Sequence, residues 1–189
     1  METASANSKI AIRPLEVSDF EILSKIADER LGTGYFDHDD FVFRTEYPEL
    51  NLVAVDDGQP VALISMTPEA PESLAEAVRM DPDALVKDAG GRPVIHFRTA
   101  LCDAAHDGQG LTGALLESVI NNARELGYGA IISPTWKYCG KAPAEKLQTN
   151  LGFRPIGERH MLWYDQKGYS CVICGGPCRC DAILLELIL

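Results

Sequence analysis

Apolar residues recur along this chain with two periods. Runs that are apolar throughout, or at every second residue, read as strands, and apolar residues three and four apart mark helix faces. Residues 10–16, IAIRPLE, alternate and predict a first strand. Ser18 or Asp19 can cap a helix running to about Leu31, with Phe20, Ile22, Leu23, Ile26 and Ala27 on its inner side. Gly32-Thr33-Gly34 stops it, and residues 37–47 predict a short second helix ended by Pro48. Residues 52–55 and 61–66 flank Asp57-Gly58, a hairpin signal. Residues 69–93 change character: they are acidic, rich in proline and end near Gly90-Gly91. Two short helices, 73–80 and 83–88, fit there, in an insertion packed on one edge, a lid or a decorated loop.

Residues 94–135 carry the clearest pattern. VIHFRTALC reads as a strand, and a polar break leads to Gly108-Gln109-Gly110-Leu111-Thr112-Gly113. Leu115, Leu116, Val119, Ile120, Ala123 and Leu126 then recur at helical spacing, and Gly127 and Gly129 suit a helix end. AIISPT, residues 130–135, reads as a buried strand. A glycine turn that opens a helix after a strand is an anion cradle, because its first amides lack partners and the helix dipole favours negative charge there. A pyrophosphate suits it; a turn glycine-rich for steric reasons alone has similar weight, since short glycine patterns are weak signals.

Beyond this unit, residues 136–140 read as a loop and Pro143 suits the first turn of a helix over 142–151. FRPIG leads into a long alternating strand, 158–165, and AILLELIL closes the chain as another. The order is α/β, with one mixed sheet and helices on both faces. At 189 residues with 46% apolar content, one domain with a full core is expected. Residues 1–9 are polar and are expected to be disordered.

The net charge of −11 argues against nucleic acid and anionic membranes as partners. It is compatible with a cationic substrate such as an amine, and equally with solubility alone. The polar N-terminus has no apolar leader and no run is long enough to span a bilayer, so a cytoplasmic protein is expected. The final apolar strand is a candidate edge for a homodimer.

Cys171, Cys174, Cys178 and Cys180 fall within ten residues, spaced C-x2-C-x3-C-x-C. In a chain without an export signal such a cluster reads as metal binding or redox chemistry before disulfides. CVICGG resembles a zinc knuckle, two thiolates on a tight turn. Zinc comes first, then an iron–sulfur cluster, then a dithiol switch. Cys178 and Cys180 lie close together for two ligands of one ion.

The order of elements, the DGQGLTGALL turn-helix and the stretch AEKLQTNLGF together resemble the GNAT superfamily of acyl-CoA-dependent N-acyltransferases. The likeness covers about residues 10–189, with 69–93 and the cysteine-rich loop 166–181, between the last two strands, as additions. It implies a mixed twisted sheet of about seven strands. The sheet would splay between the fourth and fifth strands, here 94–102 and 130–135, with acyl-CoA in the cleft. The family's pyrophosphate pattern, Q/R-x-x-G-x-G/A, falls on residues 107–112. Asp107 stands at the Gln/Arg place and Thr112 at the small-residue place. The resemblance assigns cofactor contacts to Leu101, Cys102, Asp107, Gly108, Gln109, Gly110, Leu111, Thr112, Gly113, Lys141 and Ala144.

The implied reaction is direct attack of an amine on the acetyl-CoA thioester. Amides near residues 101–103 would polarise the carbonyl. His96 and Asp103 are the candidate bases, against readings as a core histidine and a turn cap. The family's leaving-thiolate acid, a tyrosine, is replaced by Gln148, which cannot donate as an acid. Tyr138 and Cys139 are the candidate substitutes. The acceptor would be a small-molecule or protein amine, with the cysteine loop bordering its side of the cleft. The departures at Asp107, Thr112, Lys141 and Gln148 also suit a non-catalytic protein of this fold that senses CoA, metal or redox state.

Overall fold

The computed structural model describes residues 10–189, apart from the side chains of residues 86–88. The disorder expected of residues 1–9 lies outside the described residues. Along the chain come β1 (Ala11–Pro14), α1 (Phe20–Arg30), β2 (Gly32–Thr33), α2 (His38–Arg44), β3 (Asn51–Asp56) and β4 (Gln59–Glu69). Then follow α3 (Pro71–Val78), α4 (Pro82–Asp88), β5 (Val94–Cys102), α5 (Leu111–Glu125) and β6 (Ala130–Lys137). The last elements are α6 (Glu145–Asn150), β7 (Arg154–Arg159), β8 (Ser170–Cys171) and β9 (Asp181–Ile188).

Seven strands form one sheet in the order β1-β3-β4-β5-β6-β9-β7. Neighbours run antiparallel except β5 and β6, which are parallel. The final strand is therefore interior, bonded to β6 on one side and β7 on the other. Both its edges are used, so the homodimer expected through it has no free edge to form on. Its one buried charge, Glu186, is held by the Arg154 guanidinium from β7 at 2.7 and 3.1 Å.

Helices cover both faces. On one, Leu115, Leu116, Val119, Ile120 and Ala123 of α5 pack on Ile64, Ile95, Ile131 and Leu185. Burying such a side chain contributes about 1.5–3 kcal/mol, so this stripe fixes the helix on the sheet. Leu126, expected on the same face, is 52% exposed, because it is the C-cap and the chain turns away there. Gly127, at φ 80°, makes that turn. Gly129 serves a close approach instead: a Cβ there would lie 2.5 Å from the Ala89 carbonyl oxygen.

On the other face, Leu23 and Ala27 of α1 and Phe41 of α2 pack on Val53, Leu63 and Leu101. Beside them Leu74, Ala75 and Val78 of α3 and Leu85 of α4 close over Val94, Ala130, Ile132 and Leu184. Residues 69–93 thus begin as the end of β4 and continue as helices over the sheet face, not on an edge.

The long strand expected over 158–165 ends at Arg159. Beyond it the chain turns, with Met161 at φ 48°. The Arg79 guanidinium takes the carbonyls of His160, Met161 and Leu162 at 3.1–3.4 Å. Those carbonyls are bonded to a side chain from the α3 end rather than to a strand.

Candidate functional site

β5 and β6 pair at Val94–Ala130, Ile95–Ile131 and His96–Ile132, then part. From Phe97 onward the β6-facing edge of β5 has no strand against it among the described residues. The parting opens a cleft of about 1100 Å³ that runs through the sheet from one face to the other. On the α5 face it is lined by Cys102, Thr112, Ala144 and Leu147; on the α1–α2 face by Tyr35, Arg44, His96, Trp163 and Ile173. β5 also bulges: Ser65 pairs with Thr99 and Met66 with Phe97, so Arg98 is the extra residue.

At the α5 end lies the glycine turn, around a pocket of about 300 Å³. Gly108 and Gly110 sit at φ 77° and 79°, a region open to glycine with little strain. A Cβ at either would meet no protein atom within 4 Å, so the turn faces open space. The Gln109 amide is bonded to the His106 carbonyl at 3.4 Å. Among the described residues, the amides of Gly108, Gly110, Leu111, Thr112 and Gly113 have no protein acceptor. These free donors at the N-terminus of a fifteen-residue helix fit a diphosphate. Asp107 is an anion beside this cradle, and the Arg30 guanidinium pairs with it at 3.0 Å. Cys102 lines the same pocket; burial and then the Asp107 carboxylate raise its thiol's pKa, keeping it neutral.

His96 sits where the strands begin to part and is 8% exposed. Its Nδ1 meets Glu69 Oε1 at 2.8 Å, and that oxygen also accepts from Arg98 at 2.9 Å. Arg98 reaches Asp40 at 3.3 Å, and Asp40 holds Arg44 at 2.5 and 2.9 Å. Burial lowers the His96 pKa and outweighs the hydrogen bond and charge of Glu69. Burial works against the Glu69 carboxylate too, but the His96 hydrogen bond and then the charge and hydrogen bond of Arg98 prevail and lower its pKa. The outcome near neutral pH is a neutral imidazole beside an ionised carboxylate. The carboxylate keeps the proton on Nδ1 and leaves Nε2 as the acceptor. Glu69, Arg98, Asp40 and Arg44 were not among the residues expected from sequence. Glu69 was hidden inside the proline-rich segment, though in the β4–β5 register it is the diagonal neighbour of His96.

The other expected residues divide. Asp103 does not line the cleft; it caps a 3₁₀ turn over Ala104–His106 and bonds His106 at 3.1 Å. Its amide donates to Val61 at 2.8 Å, so the oxyanion donors expected at 101–103 cannot include it. Tyr138 lines the cleft and packs on Trp136 at 4.6 Å. Cys139 and Lys141 point elsewhere: residues 138–141 form a tight turn closed by two backbone bonds of 2.8 and 2.9 Å. Cys139, at φ 47°, is its exposed tip, and Lys141 is exposed too. Ala144 does line the cleft. Gln148 is buried between β6 hydroxyls, donating to Ser133 at 2.8 Å and accepting from Thr135.

The four cysteines converge. Their sulfurs lie within 4.8 Å of one another, with 3.6 Å between Cys174 and Cys180 and 3.9 Å between Cys171 and Cys180. Tetrahedral zinc with Zn–S of about 2.3 Å requires sulfurs about 3.8 Å apart. Cys178 and Cys180, expected to be crowded, both fall within this sulfur group. The Arg179 amide donates to the Cys174 sulfur at 3.3 Å. Trp136 packs on the cluster, and its buried indole N–H faces the Cys180 sulfur, favouring the thiolate there. Burial raises the Cys178 thiol to about 11, whereas amides of Cys174 and Ile173 outweigh burial at Cys171 and lower its pKa.

No family model and no curated protein matches the sequence. Solved structures do match the fold. A chain of the NatC complex bound to Gag peptide and CoA is 17% identical, with 96% of this chain and 99% of that one covered and a TM-score of 0.69. Arabidopsis thaliana NAA60, in complex with a bisubstrate analogue, is 16% identical over 95% of this chain and 98% of that one, at a TM-score of 0.68. An agmatine N-acetyltransferase is 20% identical over 95% and 99%, at 0.64. At such identities the likeness is one of fold.

Proposed function

We propose that this chain, whose fold is that of the GNAT acyltransferases, moves an acetyl group from acetyl-CoA to a primary amine. One observation carries the reading: the cleft where β5 and β6 part holds neutral His96 and shares Cys102, Asp107, Thr112 and Leu147 with the pocket at the free amides of the glycine turn. Among the neighbouring folds one is named an agmatine N-acetyltransferase and another is bound to a peptide and CoA.

The diphosphate of acetyl-CoA lies on the amides of Gly108 and Gly110–Gly113, and its thioester reaches into the parting beside β5. The amine enters from the α1–α2 face. His96 Nε2 takes the ammonium proton, directly or through one water, and Glu69 stabilises the imidazolium that results. The amine nitrogen bonds to the thioester carbon, and amides on the open edge of β5 receive the developing oxyanion. The C–S bond breaks, and the second proton of the amine nitrogen, lost as the amide forms, passes through Tyr138 or water to the thiolate, since Gln148 cannot relay it as an acid. A zinc ion on Cys171, Cys174, Cys178 and Cys180 belongs to this reading. The sulfur spacing supports one ion rather than a larger cluster, and its contribution is structural, because four thiolates close its coordination.

Calorimetry with acetyl-CoA, followed by thiol release with a panel of amines, tests this. Binding and turnover with at least one amine are expected. Binding with no thiol release from any amine would replace the reading by that of a CoA-sensing protein.

A further inference from the structure

The cysteine loop is seated against the segment that joins α1 to α2. β8 pairs with β2, the Val172 amide donates to the Leu31 carbonyl at 2.9 Å, and the Tyr169 hydroxyl donates to the same carbonyl at 2.8 Å. Two glycines permit the approach. At Gly32, φ 132°, a Cβ would lie 2.1 Å from the Ser170 carbonyl oxygen; at Gly34, φ 72°, it would lie 2.3 Å from that of Gly168. The same segment contributes Tyr35, which meets Tyr169 edge-on at 5.9 Å and bonds the Arg98 carbonyl and Thr99 hydroxyl at 3.0 Å. The loop is thus tied to β5 through its neighbour.

Between the first two cysteines stand Val172 and Ile173, 46% and 45% exposed. Both line the cleft, on the face opposite the glycine turn. Two branched apolar side chains at the mouth of a cleft are unusual for a solvated loop tip. They are held there by a loop whose own core is Cys171, Cys178 and Cys180, with aromatic rings packed around them. The rings and β8 seat the loop, but its centre is thiol rather than hydrocarbon, and metal binding there adds ordering free energy to that packing.

We propose that the four-cysteine centre sets acceptor selection: with a metal ion bound, it holds Val172 and Ile173 as an apolar wall on the amine side of the cleft, favouring amines with a branched alkyl group near the nitrogen. The proposal rests on the acyltransfer reading of the cleft. Metal loss releases the wall and leaves the acyl-CoA site intact, because the glycine turn lies on the other face of the sheet.

The experiment uses the full chain purified with zinc, its content measured by elemental mass spectrometry. Two primary amines matched in charge are compared, one with a branched alkyl group and one without. Chelation is expected to raise KM for the branched amine by about tenfold, leaving the other amine's KM and the Kd for CoA nearly unchanged. Gly34→Ala is expected to give the same KM shift with zinc retained, since it blocks docking and touches no thiol. An unchanged preference after chelation overturns the proposal, as does a CoA Kd that moves as far as KM. Hydrogen exchange gives a second reading independent of turnover. Amides of residues 31–35 and 169–173 should lose protection on zinc removal, and retained protection overturns the proposal even if Gly34→Ala fails to fold. A zinc-loaded protein that turns over neither amine fails the acyltransfer reading, and exchange then decides whether the metal holds the loop.

Discussion

Thr67 stands opposite His96 across β4 and β5, which puts Glu69 two residues further along on the same face of the sheet. That register fixes the tautomer of His96, the proposed base. His96→Gln should lower kcat by roughly 10²–10⁴-fold with the Kd for CoA unchanged. Glu69→Gln removes the one neighbour that raises the His96 pKa. The acid limb of the kcat/KM profile should therefore move to lower pH, and a limb that stays put would leave His96 without its role. His106 works with the opposite sign. The hydrogen bond to Asp56, then that to Asp103, outweighs desolvation and raises its pKa. Its contribution to stability is fully present below the unfolded value of about 6.5 and is lost as pH rises through the folded value. The Tm gap between the protein and His106→Gln should be widest in acid and close in alkali. Sequence names histidines readily, because the residue type alone flags them. It hides their partners, and Glu69 lies 27 positions away, across a strand pairing that local pattern does not encode.

Elements with a local cause were legible. β5 and α5 begin and end where period and glycine placed them, since a buried stripe of Leu115, Leu116, Val119, Ile120 and Ala123 leaves one way to dock. Leu126 matched the spacing but lies past the point where the helix stops. Leu115→Ala should therefore cost about 2–5 kcal/mol in denaturant unfolding, and Leu126→Ala no more than about 0.5. Equal losses would mean that the helix runs on and buries both. The stretch after Arg159 alternates as a strand should, yet its carbonyls are taken by Arg79, a residue about eighty positions earlier. The place of β9 between β6 and β7 is equally remote in cause, although its apolar run, broken only at Glu186, suits an interior strand. The cysteine spacing suggested a metal site, and its seat against Gly32 and Gly34 did not show, because nothing in either segment names the other.

Taken whole, the molecule carries a net charge of −11 and is proposed to bind one polyanion and one cation. The cleft does not offset that charge. Its basic side chains, Arg30, Arg44, Arg98 and Lys167, are matched by Glu29, Asp37, Asp40 and Asp107. Arg30 is engaged by Asp107, Arg44 by Asp40, and Arg98 by Asp40 and Glu69. Recognition of the diphosphate then falls to backbone amides and the first turn of α5, which act over a few ångströms. At longer range acetyl-CoA meets a repulsive field, and an ammonium acceptor meets an attractive one. Raising ionic strength from about 0.01 M to about 0.15 M shortens the screening length from about 30 Å to about 8 Å. Stopped-flow measurements should show the association rate of acetyl-CoA rising over that range and that of a cationic amine falling. Dissociation rates, set by contacts inside the cleft, should change less. An acetyl-CoA association rate that falls with salt would mean that the cleft presents a positive face and that guanidinium groups, rather than the turn's amides, capture the ligand.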